Sequence, residues 1–360
     1  MGLVKHLSKI TALAIAIPVL CGCQMGYLMK SGYGQMKLLS SRVPIDEALQ
    51  DPQLEESKKQ KLRLAQEARE YAEKELHLKP TKNYTSYVEL GRPYVTYVVS
   101  AAYRWELKHY QWSYPFMGKM PYKGYFNEPD AIEEEKDLQK EDLDTYMRGV
   151  SAYSTLGWFK DPILSSMLRY DDYDLVNTII HETVHATLYI KNSADFNERL
   201  ATFLGNKGAE QFYLKKEGAA SPTLNQIKNE NVDNKAFSQF ISAELKNLEK
   251  WYKDLPPSER SEEKRQERIR QIQENFTKDL QPQLKTENYK KFPEAKLNNA
   301  RLLLYKTYMQ DLGDFERLYE LLGRDYARFI QECKSLEKSE DPAVALKDLI
   351  HSLELHAKRE

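Results

Sequence analysis

Apolar and polar positions alternate with one period at the start of the chain, another in the middle and the first again towards the end. From Asp51 to Leu78 apolar residues recur at helical spacing, with Leu62, Ala65, Ala68 and Ala72 on one face of a Glu- and Lys-rich stretch, and one long helix is predicted. Between Tyr84 and Trp158 the composition shifts to Tyr, Val, Phe and Gly. Tyr94–Val99 is the clearest strand there, Phe116–Phe126 and Tyr146–Thr155 are further strands, and an acidic helix from Pro129 to Glu141 separates those two. Helical periodicity returns with Leu175, Val176, Ile179 and Ile180, in a helix predicted to run from an N-cap at Asp171 or Asp172 to Ile190. After the polar break Lys191-Asn192-Ser193-Ala194-Asp195, a second helix is predicted over Phe196–Tyr213. The remainder reads as mainly helical. Asn225–Tyr252 and Ser258–Leu280 are divided by Leu255-Pro256-Pro257-Ser258, and the charge carried by Ser258–Gln271 predicts an exposed helical hairpin. Asn298–Tyr319 is more apolar, and its Leu302, Leu303, Leu304, Tyr305 and Tyr308 are expected to pack back on the core.

One of these helices carries chemistry. His181-Glu182-Thr183-Val184-His185 places two imidazoles four residues apart, one above the other on a single helix face, where both can reach one metal ion. A catalytic zinc takes three protein ligands and keeps one position open, and His, His and Glu form an established set. The predicted return helix brings Glu198, in Phe196-Asn197-Glu198-Arg199-Leu200-Ala201, back towards that face. The expected ligands of a single Zn2+ are therefore His181, His185 and Glu198, with Asp195 and Glu210 as weaker third ligands. Glu182, one residue round the helix, is the expected general base, taking a proton from the attacking water and giving it to the leaving nitrogen. Asn197 is expected as a supporting group, and the small Ala201 as the point where the two helices approach. Twenty-four tyrosines leave the oxyanion donor open. The fold class this implies is α+β and zincin-like: a small mixed β-sheet packed on the metal helix, followed by a mainly helical C-terminal part. Within it Ser151–Thr155 is the favoured edge strand for binding a substrate backbone.

The first residues carry an address. Lys5 and Lys9 precede an apolar run from Ile10 to Leu20, too short to span a bilayer comfortably, and Leu20-Cys21-Gly22-Cys23 follows. That ending looks like a bacterial lipobox, with residues 1–22 as the signal peptide and Cys23 as the lipidated N-terminus. It predicts a cell-envelope lipoprotein facing the periplasm, held to the membrane by lipid, and Gln24 favours the outer membrane. Residues 23–220 are then the catalytic region and residues 221–360 a helical region packed on it. Cys23 and Cys333 are the cysteines left after processing, which excludes a disulfide framework. Composition agrees with a folded body, 41% hydrophobic and 30% charged, and 53 basic residues against 54 acidic ones give no electrostatic case for nucleic acid.

With the motif, the leader and the flanks together, the chain resembles the bacterial putative aminopeptidase family, a group of zinc-dependent lipoproteins with the gluzincin order of ligands. The carriers are Gly34-Gln35-Met36-Lys37-Leu38-Leu39, Pro121-Tyr122-Lys123-Gly124-Tyr125-Phe126, Ala152-Tyr153-Ser154-Thr155-Leu156-Gly157-Trp158-Phe159 with Asp161-Pro162, the two metal blocks, and Asn298-Asn299-Ala300. The resemblance implies the same ligands, His181, His185 and Glu198, and the same base, Glu182. Lys123 stands where the family often has Arg, and Ala186 where it often has Gln. Asn225–Lys285 is the least family-like part, expected as a lineage-specific insertion. Peptides or exposed protein segments are the expected substrates. An aminopeptidase must also hold a free α-ammonium, for which Glu89, Glu128 and Asp161 are the candidates. Two other functions fit the same residues: a non-catalytic envelope scaffold, against which an intact Glu182 argues, and a zinc amidase acting on cell-wall peptides.

Overall fold

Each long amphipathic stretch buries the stripe its sequence sets out. In the computed structural model, which describes residues 25–114, 118–153, 155, 159–191, 193–308 and 312–357, the first helix, α1, covers residues 25–40. The leader and Cys23 lie outside the described residues, as do Phe116 and Ser154 of the expected strands. After the short β1 (Val43–Pro44) and α2 (Ile45–Gln50), the predicted long helix is α3 (Glu56–Lys74), with Leu62, Ala65, Ala68 and Ala72 all fully buried. It starts later than expected because Asp51 begins a turn, its carboxylate accepting from the Gln53 N–H at 2.8 Å, with Pro52 between them.

The strands form three small sheets. β2 (Ser86–Val88) pairs antiparallel with β1 and parallel with β8 (Ile163–Leu164), making a small mixed sheet that contains none of the three predicted strands. β3 (Thr96–Tyr103) is the centre of an antiparallel sheet between β6 (Tyr122–Tyr125) and β7 (Leu143–Val150), in a register running from Thr96 opposite Val150 to Tyr103 opposite Leu143. β4 (Trp112–Tyr114) and β5 (Gly118–Met120) form a separate hairpin. The acidic helix α4 (Glu128–Lys140) is capped by Asn127, whose side chain accepts from the Asp130 N–H at 2.9 Å. Gly149 is required in β7, because a Cβ there would stand 2.2 Å from the Tyr94 ring.

Three helices meet the mixed sheet in the main core. The metal helix α5 (Asp172–Thr187) packs on α3 and on α6 (Ala194–Glu217), and its Leu175, Val176, Ile179 and Ile180 share one apolar cluster with Tyr87, Val88, Ile163 and Leu164 of the sheet. The larger antiparallel sheet is covered instead by α4 and α9 (Asn299–Tyr308). α10 (Gly313–Leu321), α11 (Tyr326–Ser335) and α12 (Pro342–Ala357) close the main core through Phe315, Phe329 and Leu346. No described helix is long and apolar enough to cross a membrane.

Two expectations need correction. Ser151, Ala152, Tyr153 and Thr155 are not in a strand: β7 stops at Val150, the Ser151 carbonyl accepts from Ser166 Oγ at 2.6 Å, and Thr155 is tied to Asp161 through its N–H and hydroxyl. These backbone groups are held by side chains, not by a ladder. The charged hairpin of α7 (Pro222–Asp254) and α8 (Glu262–Asn275) is also less exposed than its composition suggests. Phe237, Ile241, Leu248, Ile269, Ile272 and Phe276 form a second core with Leu302 and Leu303 of α9. Arg265, 2% exposed in its side chain, inserts between the hairpin and the sheet and bonds Asp144 of β7 at 2.6 and 3.0 Å. A buried Arg paired to a buried Asp reads in sequence as one more surface charge.

Candidate active site

The site is built where α5 and α6 run side by side. Their approach is closer than Ala201 alone allows. A Cβ at Gly205 would stand 2.9 Å from Asn177 Oδ1 and 3.3 Å from His181 Cβ, and one at Gly208 would stand 2.7 Å from Leu76 Cδ1 and 3.0 Å from Ile180 Cγ2. Ala201, Gly205 and Gly208 thus form the small-residue face of α6 on which the metal helix rests. Periodicity could have flagged the two glycines, since helix interiors disfavour Gly by about 1 kcal/mol relative to Ala.

α5 ends at Thr187, earlier than expected, and the chain turns back over a clamp. Asn197, 1% exposed, accepts from the Ile190 N–H at 2.8 Å and donates to the Ile190 carbonyl at 2.7 Å. Its expected supporting role is therefore exerted on the connecting loop, one residue before Glu198, and not on a ligand atom. Thr183, between the two histidines, donates to the Ile179 carbonyl of its own helix at 2.6 Å.

His181, His185 and Glu198 come together, the one group of His, Cys, Asp and Glu side chains among the described residues arranged to hold a metal ion. The two Nε2 atoms are 3.2 Å apart, and each lies 3.6 Å from a different oxygen of the Glu198 carboxylate. A tetrahedral zinc with bonds of about 2.0–2.1 Å separates its ligand atoms by roughly 3.3–3.4 Å, so the spacing fits one ion. Asp195 and Glu210 do not join this group. Burial disfavours charge on both imidazoles. At His181 that effect is overcome by the hydrogen bond to Glu198 and the nearby Glu182 charge, which lift its pKa above the ordinary value. At His185 burial, reinforced by His181, pushes the pKa down to about 4, leaving a neutral ring whose lone pair is available to a metal. Burial raises the Glu198 carboxyl, but the two histidines outweigh it and hold the group below the usual carboxylate range.

Around the cluster stand residues that sequence reasoning missed. Arg148, on β7, is close enough for its positive charge to lower the Glu198 carboxyl further, and Tyr189 sets its ring edge against His185 with centroids 6.4 Å apart. Tyr84, fully buried and in the left-handed region at φ 58°, feels the Glu182 and Asp161 charges. A lone Arg in a strand and one Tyr among many carry no sequence signal of this kind.

Two of the three ammonium candidates already have partners and the third is exposed. Asp161 accepts from the Thr155 N–H at 2.9 Å and its hydroxyl at 2.8 Å, Glu89 is held by Tyr87 at 2.7 Å and Lys58 at 2.9 Å, and Glu128 is exposed in the first turn of α4.

A family model described as "Putative aminopeptidase" matches residues 26–345. The chain belongs to this family. Among curated proteins and among solved structures no match is found. Several blocks that carried the family resemblance have structural work in this member. Gly34 lies against Phe126, where a Cβ would come within 2.5 Å of the ring, and its neighbour Gln35 accepts from the Tyr153 hydroxyl. Lys123 bonds Glu134 at 2.8 Å, beside Tyr125 and Trp112, which donate to the same carboxylate. Asn299, fully buried, donates to the carbonyls of Tyr103 and Arg104 and receives the Tyr252 hydroxyl at 2.8 Å, while its N–H bonds Asp144 at 2.9 Å. The segment expected as an insertion lies inside the matched span and supplies Arg265 to this same knot.

Proposed function

We propose that this putative aminopeptidase family member is a zinc metallopeptidase, aminopeptidase in mode, tethered by a lipid on Cys23 to the periplasmic side of the envelope, with residues 23–220 as the catalytic region. The observation that supports the reading is the convergence of His181, His185 and Glu198 at 3.2–3.6 Å on two helices packed through small residues. When bound there, zinc supplies a Lewis acid for the scissile carbonyl and lowers the pKa of a water to about 7. Glu182, next to His181 on α5, takes the proton of the attacking water and returns it to the leaving nitrogen. Arg148, whose charge reaches Glu198, and Tyr189, whose ring packs on His185, are candidate donors for stabilising the oxyanion.

Metal content and hydrolysis of quenched peptides, measured on the full chain in detergent, test this. The native protein and Glu182→Gln should each retain about one zinc per chain, His185→Ala should lose it, and only the native protein should turn over. A native protein that holds no metal ends the active-site assignment; one that holds zinc but hydrolyses nothing favours the scaffold instead.

A further inference from the structure

The two helices that carry the ligands also wall a cavity. About 270 Å³ in volume, it is lined by Asp174, Asn177 and Thr178 of α5, Asn206 of α6 and Glu230 and Asn234 of α7, with Tyr170 and Tyr173 at its side. Its position follows from helical spacing. Asn177 stands one turn before His181 on the same face, and Asp174 and Thr178 stand in one column with Glu182. On the antiparallel α6, Asn206 lies eight residues after Glu198, again on nearly the same face. Asn177 Nδ2 donates to Asn206 Oδ1 at 2.7 Å, so this pair spans α5 and α6 beside the ligands. Tyr170, in the cavity wall, feels the charges of both Asp174 and Glu182.

The lining is acidic and amide-rich. None of its described lining residues is basic; Lys61, whose charge reaches Asp174, is engaged by the Tyr170 carbonyl at 2.5 Å and by Asp172 at 2.6 Å. One Glu230 oxygen accepts from Gln226 at 2.9 Å. The Asp174 carboxyl is raised by the protein packed around it and then by the negative charges of Glu230 and Asp171. Two carboxylates in a cavity wall that has no basic lining residue, with Lys61 already paired to Asp172, suit a positively charged guest.

We propose that this cavity is the subsite for a lysine or arginine side chain adjoining the scissile bond, with Asp174 and Glu230 pairing its charge and the asparagine amides filling its remaining hydrogen bonds. The distance suits a side chain better than an α-ammonium. At 1.5 Å per residue, Asp174 lies roughly 10 Å along the helix from His181, whereas an α-ammonium stays within one residue of the reacting carbonyl. The five bonds from Cα to a lysine Nζ reach roughly 6 Å and cover most of that separation. The proposal rests on the peptidase reading and gives it a substrate class, peptides with a basic residue next to the cleaved bond.

Binding and turnover separate the two ideas. Arginine amide titrated calorimetrically into the zinc-loaded, full-chain Glu182→Gln protein should bind, and adding Glu230→Gln should weaken it about tenfold or more. Absence of binding, or binding indifferent to both Glu230→Gln and Asp174→Asn, overturns the subsite whatever the enzyme does. Turnover then compares matched peptides with lysine or norleucine beside the cleaved bond. The ratio of lysine to norleucine kcat/KM should collapse in Asp174→Asn and Glu230→Gln. If norleucine and lysine peptides are cleaved equally by the native protein, the subsite fails and the peptidase stands. If arginine amide binds and no peptide is cleaved, the peptidase reading fails and the basic-ligand cavity stands.

Discussion

A single side chain closes the loop between the two ligand-bearing helices. Asn197 satisfies both backbone groups of Ile190 in a buried position, and nothing else of its size could both donate and accept there. Asn197→Ala leaves an N–H and a carbonyl unpaired, each costing about 1–3 kcal/mol when buried. In urea titrations of the zinc-loaded chain the midpoint should fall while the slope stays the same. An unmoved midpoint would mean that the loop holds itself. The metal residues were legible at this scale because i, i+4 spacing maps directly onto a helix face. Arg148, Tyr189 and the partners of Asn197 were not, because they reach the site through tertiary contacts that no local period encodes.

At the scale of elements the pattern located helices well and their ends less well. Buried alanines on α3 and the apolar run into α5 gave the right faces. The ends depended on turn chemistry, Asp51-Pro52 before α3 and the Asn197 clamp after α5. α7 shows the same dependence at its start. Ser221 Oγ accepts from the Leu224 N–H at 2.9 Å and Pro222 occupies the first helical position, so the helix begins three residues before the predicted Asn225. Ser221→Ala should cost about 1 kcal/mol, read as a lower melting temperature with zinc content unchanged. Loss of zinc in that variant would show that α7 also supports the ligands. The strand assignments failed where side chains took over backbone pairing, as Ser166 and Asp161 do around Ser151–Thr155.

For the whole molecule the deciding contact is the knot of Asp144, Arg265 and Asn299, which joins the antiparallel sheet to the second core. Sequence alone gave α+β and a helical C-terminal part. It could not show that charged residues of the hairpin point inwards, since a buried ion pair and a solvated one have the same composition. Removing one partner of a buried pair costs about 3–5 kcal/mol, while replacing both by apolar residues costs far less. Arg265→Met should therefore destabilise the protein strongly, and Asp144→Leu should cost less in that background than alone, with the orphaned Asn299 N–H limiting any recovery. A loss in the double variant equal to the sum of the two single losses would mean that the pair contributes no specific coupling.

That knot also orders events in time. Arg265 follows Asp144 by 121 residues and Asn299 follows it by 155, whereas both histidines and Glu198 come earlier than either closing residue. A chain emerging from its N-terminus thus presents every metal ligand before the sheet beside them can be sealed. Any product cut short ahead of α8 would carry the whole candidate metal set on an unfinished body.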